Sequence, residues 1–168
     1  ASASCDTPHA AQEQAAAVGT GCTGHGGDSM AEATGVRSTA AGYQARASGA
    51  NSSSYGFGST ASGDSSAAFG PSSTASGAFS AAYGAGSEAS GQNSAAYGVN
   101  SKASGFSSSA YGNVSEASGT FSSAYGFSSE ASGDFSSAYG IGSEASGRHS
   151  QAHGVNREPS GSSSSPYG

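Results

Sequence analysis

The chain has no tryptophan, few charged residues and too little aliphatic bulk for an ordinary core. Only 34% of its 168 residues are hydrophobic, and much of that is Ala. A conventional core of Leu, Ile and Val cannot be assembled from this, so the fold must bury small side chains. Charged residues reach 10%, with five Lys and Arg against eleven Asp and Glu, a formal charge of −6. No basic cluster alternates with the aromatics, which excludes the phosphate-binding surface of a nucleic-acid protein. No run approaches the roughly 20 apolar residues of a membrane-spanning helix, so any attachment to a membrane would go through an anchor domain absent from this chain. The chain opens Ala1-Ser2-Ala3-Ser4, with no initiator Met and no signal peptide, as expected of a processed secreted protein or an excised fragment.

Catalytic constellations are missing as well. His9, His25, His149 and His153 sit beside no Cys or Ser nucleophile at a motif spacing, and Gly19-Thr20-Gly21-Cys22 lacks the Lys-Ser/Thr of a phosphate loop. No carboxylate pair stands out, so neither an enzyme nor a cofactor is expected. Cysteine is limited to Cys5 and Cys22. They are read as one disulfide formed in an oxidising compartment, closing a loop worth about 3 kcal/mol in the chain-entropy account. The rival reading is a zinc site of Cys5, His9, Cys22 and His25, whose spacing matches a finger only loosely.

What the chain does have is Gly, Ser and Ala, a composition that would ordinarily signal disorder or a silk-like fibre. Strict periodicity argues against disorder. Gly recurs at every seventh position from Gly35 to Gly168 without a miss, preceded at two residues by Ala and at four by Ser. Departures include Ser54, Pro159 and Pro166 for Ala, and Ala45 and Arg157 for Ser. Two kinds of half-repeat alternate, as in Ser94-Ala95-Ala96-Tyr97-Gly98 and Ser87-Glu88-Ala89-Ser90-Gly91, so the true period is 14.

Alternation of small and larger side chains within each half-repeat has the period of a β-strand, and frequent Gly weighs against a helix. Each unit then makes two short strands and two corners, and stacked units form an all-β solenoid or parallel roll. With only Ser, Ala and Gly inside, the coil must be flat. About nine 14-residue repeats over residues 35–168 would stand roughly 45 Å tall at about 4.8 Å per rung. Corner pairs such as Phe57-Gly58, Pro71-Ser72 and Val99-Asn100 suit turns and add apolar corner ladders. Residues 1–34 lie outside the repeat and are expected to cap the first coil, with a short helix over Ala10 to Val18 opened by Thr7 and Pro8 and ended at Gly19.

Two outward columns follow from the alternation. One carries Tyr55, Phe69, Tyr83, Tyr97, Tyr111, Tyr125, Tyr139, His153 and Tyr167, and is read as an oligomer interface or flat binding face. The coil offers little apolar burial against chain entropy, and covering the tyrosines with another subunit would supply more. The other column carries Arg46, Thr60, Thr74, Glu88, Lys102, Glu116, Glu130, Glu144 and Glu158 beside a row of serines, and is read as a solvated face available to ligands. Its consecutive glutamates repel by about 1 kcal/mol per neighbour even at the dielectric of water.

The stretch Asn93-Ser94-Ala95-Ala96-Tyr97-Gly98-Val99-Asn100-Ser101 resembles the Asn-Ser-Val-Ala-Ile-Gly-x-x-Ser repeat of YadA-type trimeric autotransporter adhesin heads, over about residues 35–168. That resemblance implies a left-handed parallel β-roll and a homotrimer with the Tyr strands toward the three-fold axis. It also implies an exposed position, secreted or on the exterior of a bacterial outer membrane, with binding to collagen, fibronectin-like matrix or cell-surface proteins. Two other readings of the columns stay open. A flat Ser or Tyr face would suit an ice-binding solenoid, and open coil ends would suit a self-assembling extracellular fibre.

Overall fold

The computed structural model describes residues 9–10, 16–18 and 31–165. They form a β-solenoid of two ten-stranded parallel sheets. One, here the glutamate sheet, runs from His9–Ala10 through Glu32–Ala33 and on to Glu144–Ala145; the other, the tyrosine sheet, runs from Ala16–Val18 through Thr39–Ala41 to Gln151–His153. From Glu32 onward strands are two or three residues long because a Gly and a corner follow each one. Over the same span, from Glu32 onward, partners lie fourteen residues apart, so Glu88 pairs with Lys102 and Tyr83 with Tyr97. The Glu88 N–H donates to the Ser101 carbonyl at 2.8 Å, and the Ala95 N–H to the Ser108 carbonyl at 2.9 Å. A chain with no large interior side chains thus gets its cohesion from a backbone ladder between rungs.

The inward alanines are the core: those at every seventh position from Ala61 to Ala152 are fully buried. Inward serines lie beside them in two rows that differ. Hydroxyls of one row bond the Gly carbonyl three residues back, as Ser87 to Gly84 at 2.9 Å and Ser101 to Gly98 at 3.0 Å. Those of the other, from Ser52 to Ser150, are buried with no hydrogen-bond partner. At the departures, Ser54 replaces Ala and its hydroxyl meets that of Ser59 at 2.7 Å, which satisfies it inside the roll.

Close approach of successive coils explains the glycines. A Cβ on Gly105 would collide with the carbonyl of Gly119, and Gly112 adds φ of 139°, closed to L side chains. The second residue of each corner is left-handed, which Asn93 and Asn100 accept readily but Val114, at φ 58°, does not. Val114 is held there because its N–H donates to the carbonyl of Val99 on the preceding rung at 2.9 Å.

The helix expected over Ala10 to Val18 does not form. His9–Ala10 and Ala16–Val18 are strands that pair with Glu32–Ala33 and Thr39–Ala41. Helix propensity is worth a few tenths of a kcal/mol per residue, whereas the first coil presents unpaired backbone groups that a further strand satisfies. Cys5 and Cys22, and with them the disulfide and the zinc alternative, lie outside the described residues, as do Pro166 and Tyr167. At the other end the repeat decays. Arg157 is exposed where Ser is elsewhere buried, and Pro159 fills an Ala position and accepts at 3.3 Å from Ser146.

Candidate functional site

The roll has two faces and two edges. On the tyrosine sheet, Tyr55, Phe69, Tyr83, Tyr97, Tyr111, Tyr125 and Tyr139 occupy equivalent positions of successive strands and His153 continues the column. Because a parallel in-register ladder translates each side chain along the axis, the rings stack face to face at 4.8 to 5.0 Å between centroids. The stack half-buries its own members, leaving Tyr55 at 38% and Tyr139 at 39% exposure. Burial, with smaller contributions from the neighbouring phenols, raises the Tyr97 and Tyr125 hydroxyls above their ordinary value of 10.0. A second outward column on the same strands is small from Thr39 to Ser137, Ala81, Ala95 and Ser109 among its members, and ends at Gln151.

On the glutamate sheet, Thr60, Thr74, Glu88, Lys102, Glu116, Glu130 and Glu144 form the outward column. Lys102 stands one rung from both Glu88 and Glu116, which splits the negative charge. Glu116, Glu130 and Glu144 follow without a break, and the carboxyl of Glu130 is raised first by burial and then by Glu144 and Glu116. Nearer the N-terminal end, Arg46 bonds Glu32 at 3.0 Å across a rung, above a shallow hollow reached by Thr34, Ser48 and Thr60. Among the described residues, no group of three or more His, Cys, Asp or Glu side chains converges as metal ligands.

The edges carry the apolar corner ladders expected from the corner pairs. One edge stacks Phe121 on Phe135 at 5.3 Å and Phe135 on His149 at 4.9 Å, with the Arg148 guanidinium 5.9 Å above Phe135. Phe106 meets Phe121 edge-on at 5.4 Å. The other edge exposes Phe57, Val99, Phe127, Ile141 and Val155, each more than 40% accessible. Reading the corner pairs at period 14 rather than 7 separates these two edges in the sequence.

These surfaces define a protein that presents long, flat, chemically distinct faces. The repeat described as the YadA head domain repeat (2 copies) matches residues 33–59, 61–87, 89–115, 103–129 and 117–143. The fold is similar to the crystal structure of the collagen-binding domain of the Yersinia adhesin YadA, with 28% sequence identity and a TM-score of 0.66. That similarity covers 92% of this chain and 80% of the Yersinia one. A comparison with curated protein sequences gave no match. The chain belongs to the YadA head family and is an adhesin head built as a parallel β-solenoid.

Proposed function

We propose that this head works outside the cell, as a homotrimer bound to host matrix or cell-surface proteins of the collagen or fibronectin kind. Collagen is what the similar Yersinia domain is described as binding. The observation that carries the reading is the unlike character of the two faces. An unbroken aromatic column with no charge suits contact with other subunits, whereas Thr, Glu, Lys and Ser columns suit a wet, exchangeable ligand surface. Thr60, Thr74, Glu88, Lys102, Glu116, Glu130 and Glu144 are the residues assigned to ligands, and the column from Tyr55 to Tyr139 to self-association. Residues 1–34 act as the cap of the roll of residues 35–168, and Cys5 and Cys22 as its disulfide.

The test combines light scattering of the purified chain with binding to immobilised collagen and fibronectin. A discrete trimer that binds either protein, and binds less after Glu116→Lys with Glu130→Lys, is the expected result. A monomer that lowers the freezing point of water would instead favour ice binding, and polydisperse filaments would favour a fibre. Either outcome overturns the proposal.

A further inference from the structure

The outward columns of the glutamate sheet change character along the roll. Toward its N-terminal end Glu32, Arg46 and Thr60 occupy successive rungs, and Thr34 and Ser48 follow two residues after the first two. Arg46 donates through Nε and Nη2 to a single oxygen of Glu32, Oε2, each at 3.0 Å. Among the described residues this is the one ion pair. Around it the surface dips into a hollow of 330 Å³ lined by Glu32, Thr34, Arg46, Ala47, Ser48 and Thr60. That volume falls at the lower end of the roughly 300–1,000 Å³ of small-molecule sites.

The backbone beneath the hollow is already committed to the ladder. The Thr34 N–H donates to the Ala47 carbonyl at 3.0 Å, and the Ser48 N–H to the Ala61 carbonyl at 2.9 Å. Recognition therefore falls to side chains, whose formal charges cancel. A free anion would meet Glu32 and a free cation Arg46, so neither gains. A zwitterion would use both charges only by prising the pair apart. Hydroxyl groups fit without that cost, because each one both donates and accepts. The guanidinium has five N–H donors, of which Glu32 takes two, and Glu32 Oε1 keeps its capacity to accept. Thr34, Ser48 and Thr60 add three hydroxyls that bond in either sense. Neighbouring donors and acceptors with no net charge match a molecule that carries adjacent hydroxyls on a ring.

We infer that this hollow binds a neutral saccharide unit, with adjacent ring hydroxyls bridging Glu32 and Arg46 and a further one reaching Thr34, Ser48 or Thr60. A ring holds its hydroxyls in fixed relation, so little freedom is lost on binding. The site shares Thr60 with the ligand face proposed above, but it needs neither a trimer nor a matrix protein. Because the hollow is open and offers a handful of hydrogen bonds, a single sugar should bind with a dissociation constant on the order of 1–10 mM. A polymer of such units that engages several copies of the chain binds more tightly.

Amide NMR titrations of the full chain test this, with glucose, galactose, mannose and N-acetylglucosamine as neutral probes and inorganic phosphate and glycine as charged ones. At least one sugar is expected to shift the resonances of Thr34, Arg46, Ser48 and Thr60 saturably, while phosphate and glycine leave them in place. Arg46→Ala should weaken sugar binding at least about 10-fold, the loss of charge-assisted hydrogen bonds. Glu32→Ala should weaken it similarly and bring in a response to phosphate, because the freed guanidinium is then a cation without a partner. Circular dichroism should be the same for both variants, since the Arg46 side chain is 65% exposed and that of Glu32 39%. Dextran beside a glycan-bearing fibronectin tells a free polysaccharide from a protein-borne glycan, and binding of either bears out the site. No response to any of the four sugars, saturation by phosphate or glycine in their place, or a sugar response that survives Arg46→Ala would overturn it. Glu116→Lys with Glu130→Lys should leave the sugar response unchanged, so this site and the matrix-binding reading stand or fall separately.

Discussion

Tyr97 and Tyr111 are fourteen residues apart in the chain, yet their rings lie parallel to within 2° with centroids 4.8 Å apart. The relation follows from the register, because Ala96 pairs with Ala110 inside the roll and both tyrosines then leave the same side of neighbouring strands. Tyr111 also stacks on Tyr125, so one ring contacts two others. Each aromatic pair is worth about 0.5–1.5 kcal/mol beyond its area. Tyr111→Ala should therefore destabilise the roll by about 2 kcal/mol in urea unfolding, and Tyr111→Phe by less than about 0.5 kcal/mol, because Phe keeps the stack. Equal losses in the two variants would show that the hydroxyl, not the ring, is what matters.

The two inward serine rows should respond in opposite ways to the same substitution. Ser101 donates to the Gly98 carbonyl at 3.0 Å, and Ser101→Ala should cost about 1 kcal/mol. Ser108 is buried with no hydrogen-bond partner, so Ser108→Ala should be neutral or stabilising by up to about 1 kcal/mol. Thermal melts of the two variants side by side check the contrast.

Glycines differ in the same instructive way. A methyl group on Gly105 would meet the backbone of the next rung, which cannot move without breaking the ladder, so Gly105→Ala should cost at least about 3 kcal/mol. Gly58 has only the Ser72 hydroxyl nearby, at 4.0 Å, and left-handed φ of 63°. Gly58→Ala should therefore cost only the backbone penalty of about 1–2 kcal/mol. Denaturation midpoints that came out alike would contradict the steric account.

Stability should fall with rising pH in two windows. The Glu130 carboxyl is raised above its ordinary value of 4.5, so the folded chain holds more protons than the unfolded chain just above that value. Its share of stability is greatest below the window and is lost as the pH climbs through it. Glu130→Gln should flatten this slope and raise the neutral-pH melting temperature, with the gain shrinking in high salt. Tyr97 and Tyr125 are raised above 10.0, so a second decline should begin above that value and be smaller in Tyr97→Phe. Melting temperatures followed across both ranges test the signs.

How much could be read in advance is clearest from particular residues. Gly35 to Gly168, with Ala two places before most of them, specified the rungs, the small-residue core and the two outward columns, because strand geometry converts a period of two into faces without further information. Stacking at one rung spacing, and hence the Tyr83-Tyr97 ladder, followed from the 14-residue period alone. Other features depend on groups brought together from outside the local segment. Ala16–Val18 looks helical by composition and is a strand because Thr39–Ala41 offers it an open ladder. Val114 has no local reason to be left-handed and is so because the Val99 carbonyl below it takes its N–H. The inward serines look identical in sequence, yet Ser101 finds a carbonyl and Ser108 does not. Periodic patterning is a local property and can be read along the chain, whereas hydrogen-bond satisfaction and the closing of an end depend on what the folded coil places opposite each group.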